Sequence, residues 1–204
     1  VLICHGIGEV VEHWARSQEL LAEHGVSSLV FNYSGCGRSG GSVSVERCEQ
    51  DAMAACFWLR ERLPGVQIIL LGFSLGSGVA AAVVGRVPVA GLVMGEAYPS
   101  FREAVRVAGA PSWVTGLVPD AWRSEETLGV CKVPVLVVHG ECDRLFPVSM
   151  GERLARAAGQ RGKLVVVPGM GHSDLHAQAR AGDWQAIVSF VCEIAPPGKS
   201  EIKA

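Results

Sequence analysis

The chain has 204 residues, of which 49% are hydrophobic and 19% charged, enough for one globular domain with a substantial core and too few for two. A formal net charge of -2 with both signs interspersed leaves no basic patch or stripe, which argues against nucleic acid as the main partner and against electrostatic docking on an anionic membrane. The seven cysteines (Cys4, Cys36, Cys48, Cys56, Cys131, Cys142 and Cys192) form an odd set without CxxC or Cys/His metal spacing, so free thiols in a reducing, cytoplasmic setting are expected rather than a disulfide frame.

In chain order, Val1 to Cys4 is an apolar run closed by His5-Gly6-Ile7-Gly8, the pattern of a buried strand ending in a glycine-rich turn. A helix is expected over Val11 to His24, with Trp14, Leu20, Leu21 and Ala22 on one face and Gly25 as its left-handed stop. The next strand covers Ser28 to Asn32, and its exit, YSGCGRSGGS, has no apolar period and reads as a loop. The glycines there superficially match a dinucleotide fingerprint. The following helix starts too late, however, and no acidic residue stands at a strand end about twenty residues on, so no nucleotide site is assigned. Val45 to Leu63 is an amphipathic helix ended by Pro64-Gly65.

The run Ile68 to Leu71 then meets GFSLGSG, so a buried strand turns abruptly into a helix, Leu75 to Gly85, with Ser74 at the corner. A helix N-cap would account for the serine but not for glycine at both flanking positions, Gly72 and Gly76. A fourth strand covers Val89 to Met94, and the alternation of strand and helix is that of a parallel sheet covered on both faces. The longest apolar region, Val79 to Met94, is broken by Arg86 and Pro88, so no membrane span is expected. From Gly95 to Val130 the alternation lapses into a segment rich in proline and aromatics, expected as a small lid over residues 96–130. Its Phe101, Trp113, Leu117 and Trp122 are the candidates for contact with an apolar substrate. Strands over Val133 to His139 and Lys163 to Val167 flank a helix from Val148 to Ala158. A last helix, Trp184 to Ile194, precedes a polar tail from Pro196 to Ala204 that is expected to be mobile.

A serine hydroxyl at neutral pH is a weak nucleophile, so Ser74 needs a base within reach, and the base needs an acid to fix its tautomer. His172 lies in the loop after the last strand and Asp143 in the loop after the strand before it, both at the same carboxyl edge as Ser74. Asp174, two residues beyond His172, is the competing acid; Asp143 is preferred because loop neighbours rarely aim both side chains at each other. His5 and His139 are read as histidines bonded to loop backbone. His13, His24 and His176 are read as solvated positions, and Glu9, Glu96 and Glu141 as surface or strand-end polar groups.

Four motifs in this order, HGIGE at 5–9, GFSLGSG around Ser74, HGECD ending at Asp143 and GMGHSD around His172, resemble the α/β-hydrolase fold family. Within it the chain is most similar to serine-aminopeptidase and monoacylglycerol-lipase-like hydrolases and to the short-lidded branch that includes protein depalmitoylases; YSGCGRSGGS resembles that group's turn after its fourth strand. The resemblance implies a mostly parallel sheet with helices on both faces. It also implies Ser74 as nucleophile, His172 as general base and Asp143 as orienting acid, an oxyanion hole from the backbone amides of Ile7 and Leu75, and no metal or organic cofactor. Two further strands would precede the one at Val1, leaving Ser28 to Asn32 at a sheet edge.

The expected activity is hydrolysis of a carboxylic ester or thioester, with a small-molecule or acylated substrate and no nucleic-acid partner. Two other readings stay open. An aminopeptidase-type reaction would need an acidic recess for the substrate's amine, for which Asp120, Glu125 and Glu126 are the candidates. A non-catalytic acyl-binding module would keep the fold while losing one of the three polar residues.

Overall fold

The computed structural model describes residues 1–196, so the expected polar tail lies outside the described residues from 197 to 204. Six strands form one sheet in the order β2-β1-β3-β4-β5-β6. They are β1 (Leu2–Cys4), β2 (Leu29–Val30), β3 (Ile69–Phe73), β4 (Gly91–Gly95), β5 (Val135–Gly140) and β6 (Gly162–Val167). All five pairings are parallel. β3 therefore lies inside the sheet, between β1 and β4, while β2 is an edge of only two residues, shorter than the stretch read from the sequence.

Because successive strand side chains point to opposite faces, the apolar runs feed two separate cores. Leu70, Leu92, Met94, Val135 and Val137 join one core, with Cys48, Ala52 and Cys56 of α2 (Val45–Arg62) and with Val79 and Val83 of α3 (Leu75–Val83). Ile69, Leu71, Phe73, Val93, Leu136 and Val138 join the other, with Leu20 and Leu21 of α1 (Ala15–Glu23). The helix expected over 11–24 opens as a 3-10 turn, Val11–Trp14, before α1 begins. Its buried face is Trp14, Ser17, Leu20 and Leu21; Ala22 points to solvent, one residue past the stripe.

The segment between β4 and β5 is more ordered than its sequence suggests, with α4 (Phe101–Val107), α5 (Ser112–Thr115) and α6 (Ser124–Val130). The Ser100 hydroxyl caps α4 by accepting from the Glu103 amide, and Leu128 of α6 is buried in the α2/α3 core. Arg153 of α7 (Val148–Ala157) donates to Glu103 at 2.8 Å and to Glu125, tying α4 and α6 to the body of the sheet. Two further helices, α8 (Asp174–Ala177) and α9 (Ala181–Ile194), follow β6; Trp184, Ile187 and Val191 of α9 pack in the same core as α1. Among the described residues no helix is long and apolar enough to cross a membrane.

The backbones of α3 and β1 come into close contact at Gly76. A Cβ on Gly76 would sit 1.9 Å from the Cys4 carbonyl oxygen and 2.6 Å from that of His5. Replacing a glycine in a helix interior by alanine ordinarily gains about 1 kcal/mol of helix propensity, an upper bound at Gly76, the second residue of α3. Overpacking costs about 1–3 kcal/mol, and here the obstacle is backbone, which cannot rotate away. Gly76→Ala is therefore expected to be net destabilising by about 2 kcal/mol, read as a lower urea midpoint; a stability gain would mean that β1 and α3 are not in contact.

Candidate active site

Strand β3 ends at Phe73 and α3 begins at Leu75, leaving one residue for the turn. That residue, Ser74, has φ 49° and ψ -118°, a conformation rarely taken by a residue with a Cβ. It is held there by its own amide, which donates to Gly95 O at 2.9 Å, and by its carbonyl, which accepts from the Ser77 hydroxyl at 2.6 Å. The hydroxyl of Ser74 stands at the carboxyl edge of the sheet, where the loops after β1, β4, β5 and β6 converge.

The loop after β5 carries Asp143 and the loop after β6 carries His172, and the Cys142 amide joins the two by donating to Met170 O at 2.8 Å. His172 Nε2 is 3.0 Å from Ser74 Oγ, and His172 Nδ1 is 2.8 Å from Asp143 Oδ2. A carboxylate can only accept, so Nδ1 carries the proton and Nε2 presents its lone pair to the serine. Asp143 is fixed by the amides of Leu145 and Phe146, each donating to Oδ1 at 2.8 Å. The competing acid, Asp174, instead accepts from the Gly171 amide at 2.8 Å and shapes the His172 loop.

Burial works against a charge on His172, but the hydrogen bond and negative charge of Asp143, with further charge from Glu96 and Glu9, outweigh it and raise its pKa above the usual 6.5. His139, at the end of β5, donates from Nε2 to Phe146 O at 2.7 Å and lies 3.5 Å from Asp143 Oδ2; burial lowers its pKa and keeps it neutral. His5 is likewise bonded to backbone, through Nδ1 to Gly6 O at 2.8 Å.

Three residues read as solvated or superficial are not. Glu96, at the end of β4, is 0% exposed, with Oε2 3.2 Å from His172 Nδ1. His176 is buried, stacked on Trp14 at 5.2 Å and edge-on to Phe73 at 4.7 Å. Glu9 is partly buried, and its Oε2 accepts from the Gly6 amide at 2.9 Å and from Trp14 Nε1 at 2.8 Å, which ties the loop after β1 to the end of the 3-10 turn that precedes α1. A sequence signal existed for Glu96, a charged residue directly at the carboxyl end of a central strand; for Glu9 and His176 the pairing is long-range and leaves none. Glu141, His13 and His24 are exposed, as read.

The Leu75 amide is the first of α3 and has no carbonyl acceptor within the helix, and Ile7, in the loop after β1, is 78% exposed. Next to them opens a cavity of about 390 Å³ whose walls include Ile7, Tyr33, Cys48, Leu75, Phe101 and Trp122. Of the four lid residues expected at a substrate, Phe101 and Trp122 line this cavity, packed on each other at 4.9 Å. Trp113 and Leu117 do not: they are 72% and 77% exposed on and after α5, a helix of four residues too short to bring them back to the cavity. A larger cavity, about 530 Å³, lies at the opposite end of the sheet around Val26, Ile69 and Val191; Ser74, Asp143 and His172 are among the walls of neither, but Leu75, next to Ser74, lines the 390 Å³ one.

Glu96, Asp143 and His172 also offer donor atoms within 4.8 Å of one another. The 2.8 Å between Asp143 and His172 is a hydrogen-bond separation. Two ligands about 2.0–2.1 Å from a tetrahedral ion would stand roughly 3.3 Å apart, so the Asp143–His172 pair fits a shared proton better than a metal.

Residues 1–110 match the family described as alpha/beta hydrolase fold, and residues 109–198 match one described as TAP-like protein. The uncharacterized protein Rv2307c of Mycobacterium tuberculosis is 33% identical over 98% of this chain and 72% of its own length. The lysophosphatidylserine lipase ABHD12 of Danio rerio is 27% identical, over 73% of this chain and 44% of its own. Among solved structures, the Pyrococcus furiosus esterase Pf2001 superposes with a TM-score of 0.78 at 20% identity, covering 95% of this chain and 82% of that one.

The carboxylate of Glu9 generates a prediction about stability. Glu9→Ala removes the acceptor shared by the Gly6 amide and the Trp14 indole, and each unsatisfied buried donor costs about 1–3 kcal/mol. The variant is expected to lose about 2–4 kcal/mol of unfolding free energy in urea, and Glu9→Gln, which keeps an acceptor oxygen, clearly less; equal losses would show that the hydrogen bonds are not what matters there.

Proposed function

The chain belongs to the alpha/beta hydrolase fold family, and from that premise we propose that it is a serine hydrolase cleaving a carboxylic ester or thioester through an acyl-enzyme. One observation carries the reading: the unbroken hydrogen-bonded line Ser74 Oγ to His172 Nε2 at 3.0 Å and His172 Nδ1 to Asp143 Oδ2 at 2.8 Å, ending beside an apolar cavity. In the proposed reaction Ser74 Oγ bonds to the acyl carbon as its proton passes to His172 Nε2. The negative charge formed on the acyl oxygen is met by the amides of Leu75 and Ile7. Collapse of the tetrahedral species breaks the bond to the leaving oxygen or sulfur, which takes the proton from His172. Water then repeats the sequence on the acyl-enzyme, delivering its proton to His172, releasing the acid and returning the proton to Ser74.

The cavity supports an apolar acyl group, with Phe101 and Trp122 as its cover. The similarity to a lysophosphatidylserine lipase and to an esterase structure supports the same bond type. The peptidase reading loses its footing in the lid segment. Glu125 is paired with Arg153 and Glu126 with Arg123, and Asp120 stands 3.9 Å from Arg123, so these carboxylates do not form a free acidic recess for an amine. A pure binding module has no use for a serine held in a strained turn against a histidine base.

Covalent labelling by a fluorophosphonate tests the nucleophile: the native chain is expected to label and Ser74→Ala not to, and equal labelling of both would refute the assignment. Asp143→Asn is expected to cut kcat by a factor on the order of ten thousand, because it favours the wrong tautomer of His172.

The pH profile follows from the sign of the His172 shift. The base must be neutral, so activity rises as pH passes up through its pKa, and because that pKa is raised, the midpoint of kcat/KM is expected above pH 6.5. A rate independent of pH from about 5 to 8 would exclude a histidine base.

A further inference from the structure

One buried carboxyl group at the site, Glu96, has no part in that reaction. Glu96 is wholly buried beyond the end of β4, its backbone at φ 47°, pinned by its amide donating to Val138 O at 2.9 Å. Its Oε2 accepts from the Ser173 amide and lies 3.2 Å from His172 Nδ1, while its Oε1 has no hydrogen-bond partner among the described residues. If the side chain served only to hold the Ser173 amide, a neutral glutamine would do so without the cost of burying a charge. A carboxylate in this position makes physical sense beside a group that becomes positive.

We propose that Glu96 is a positioning residue for His172: a second carboxylate that, with Asp143, brackets the Nδ1–H and stabilises the imidazolium formed while Ser74 is attacking. The proposal rests on His172 being the general base. The nearer carboxylate, Asp143 at 2.8 Å, takes the hydrogen bond, and Glu96 at 3.2 Å contributes charge and orientation. Glu96 does not touch substrate. Its role is to make the proton transfer from Ser74 easier and to stop the ring from turning when the Asp143 bond lengthens.

The surrounding charges suit this task. Glu9 faces the ring from the loop after β1, and Asp143 and His139 from the end of β5 and its loop; His176 faces it from α8. Burial lowers the pKa of His139 and takes that of His176 down to about 4, so both are neutral at neutral pH and do not oppose a positive charge on His172. Burial pushes the Glu96 carboxyl up to about 7, against the pull of the Ser173 amide and the His172 charge. The positive charge on His172 favours the ionised form of Glu96, so the carboxylate is formed together with the imidazolium it stabilises and the two groups titrate as a coupled unit.

The test is an NMR titration of the His172 imidazole in the Ser74→Ala chain, with and without Glu96→Gln, alongside the pH profile of p-nitrophenyl butyrate hydrolysis by the full chain with Ser74 intact. Glu96→Gln keeps an acceptor for the Ser173 amide, so a latch alone would leave the ring's pKa where it was. The expected result is a fall of about one pH unit, a tenfold loss of proton affinity, with the acid limb of kcat/KM moving down equally and kcat falling while KM holds. Glu96→Asp, which keeps the charge but withdraws it by one methylene, is expected to give a smaller fall in the same direction, and decides the matter if the glutamine variant does not fold. An imidazole pKa unmoved by either variant overturns the proposal. A native chain that neither hydrolyses the ester nor takes up a fluorophosphonate would refute the serine-hydrolase reading, and the imidazole titration would still show whether Glu96 acts on His172.

Discussion

The backbone of α3 lies against the backbone of β1, and most of what surrounds Ser74 depends on that contact. It requires the absence of a side chain at Gly76, where a Cβ would overlap the Cys4 carbonyl, and the matching contact of α3 with β3 requires it at Gly72, where one would come within 2.4 Å of Gly76 O. With both gone, the chain reverses from strand to helix in a single residue and leaves that residue in a conformation it would not choose. The strain is sustained because β3 is an inner strand, flanked on both sides by parallel neighbours and covered on both faces. A corner of this kind on the two-residue edge strand β2 would simply relax.

The second organising effect is electrostatic. Three carboxylates, from the ends of β1, β4 and β5, surround one imidazole in a region from which much of the water has been removed. Each carboxylate is held by backbone amides: Asp143 by Leu145 and Phe146, Glu96 by Ser173, Glu9 by Gly6. Those amides belong to the very loops that the carboxylates shape, so fixing the charges and fixing the loops are one process. Burial alone would keep His172 neutral, and its pKa is raised only because this arrangement outweighs that tendency.

The segment between β4 and β5 is half cover and half framework. Leu128 is core, and Arg153 holds α4 and α6 with two carboxylates, while Trp113 and Leu117 stand out in solvent. Exposed ion pairs contribute little each; here one guanidinium bridges two helices to a third, so its effect is to define where Phe101 and Trp122 sit over the cavity.

Alternating strands and helices, apolar runs of strand length and a serine between flanking glycines are local patterns, and they sufficed to read the parallel sheet, the strand-to-helix corner and the order Ser74, Asp143, His172. The preference for Asp143 over Asp174 rests on neighbouring loop positions rarely aiming both side chains at each other, and Asp143 is the carboxylate that stands 2.8 Å from His172 Nδ1. What could not be read are properties of distance: that Glu96 and His176 are buried, that Glu9 links the β1 loop to Trp14, that Trp113 and Leu117 miss the cavity while Phe101 and Trp122 line it. A sequence records which side chains exist and how they repeat, which determines strand, helix and corner. Whether a given glutamate faces water or an imidazole is decided only when segments some eighty residues apart, such as Glu96 and Ser173, are brought into contact by the packing of the whole sheet.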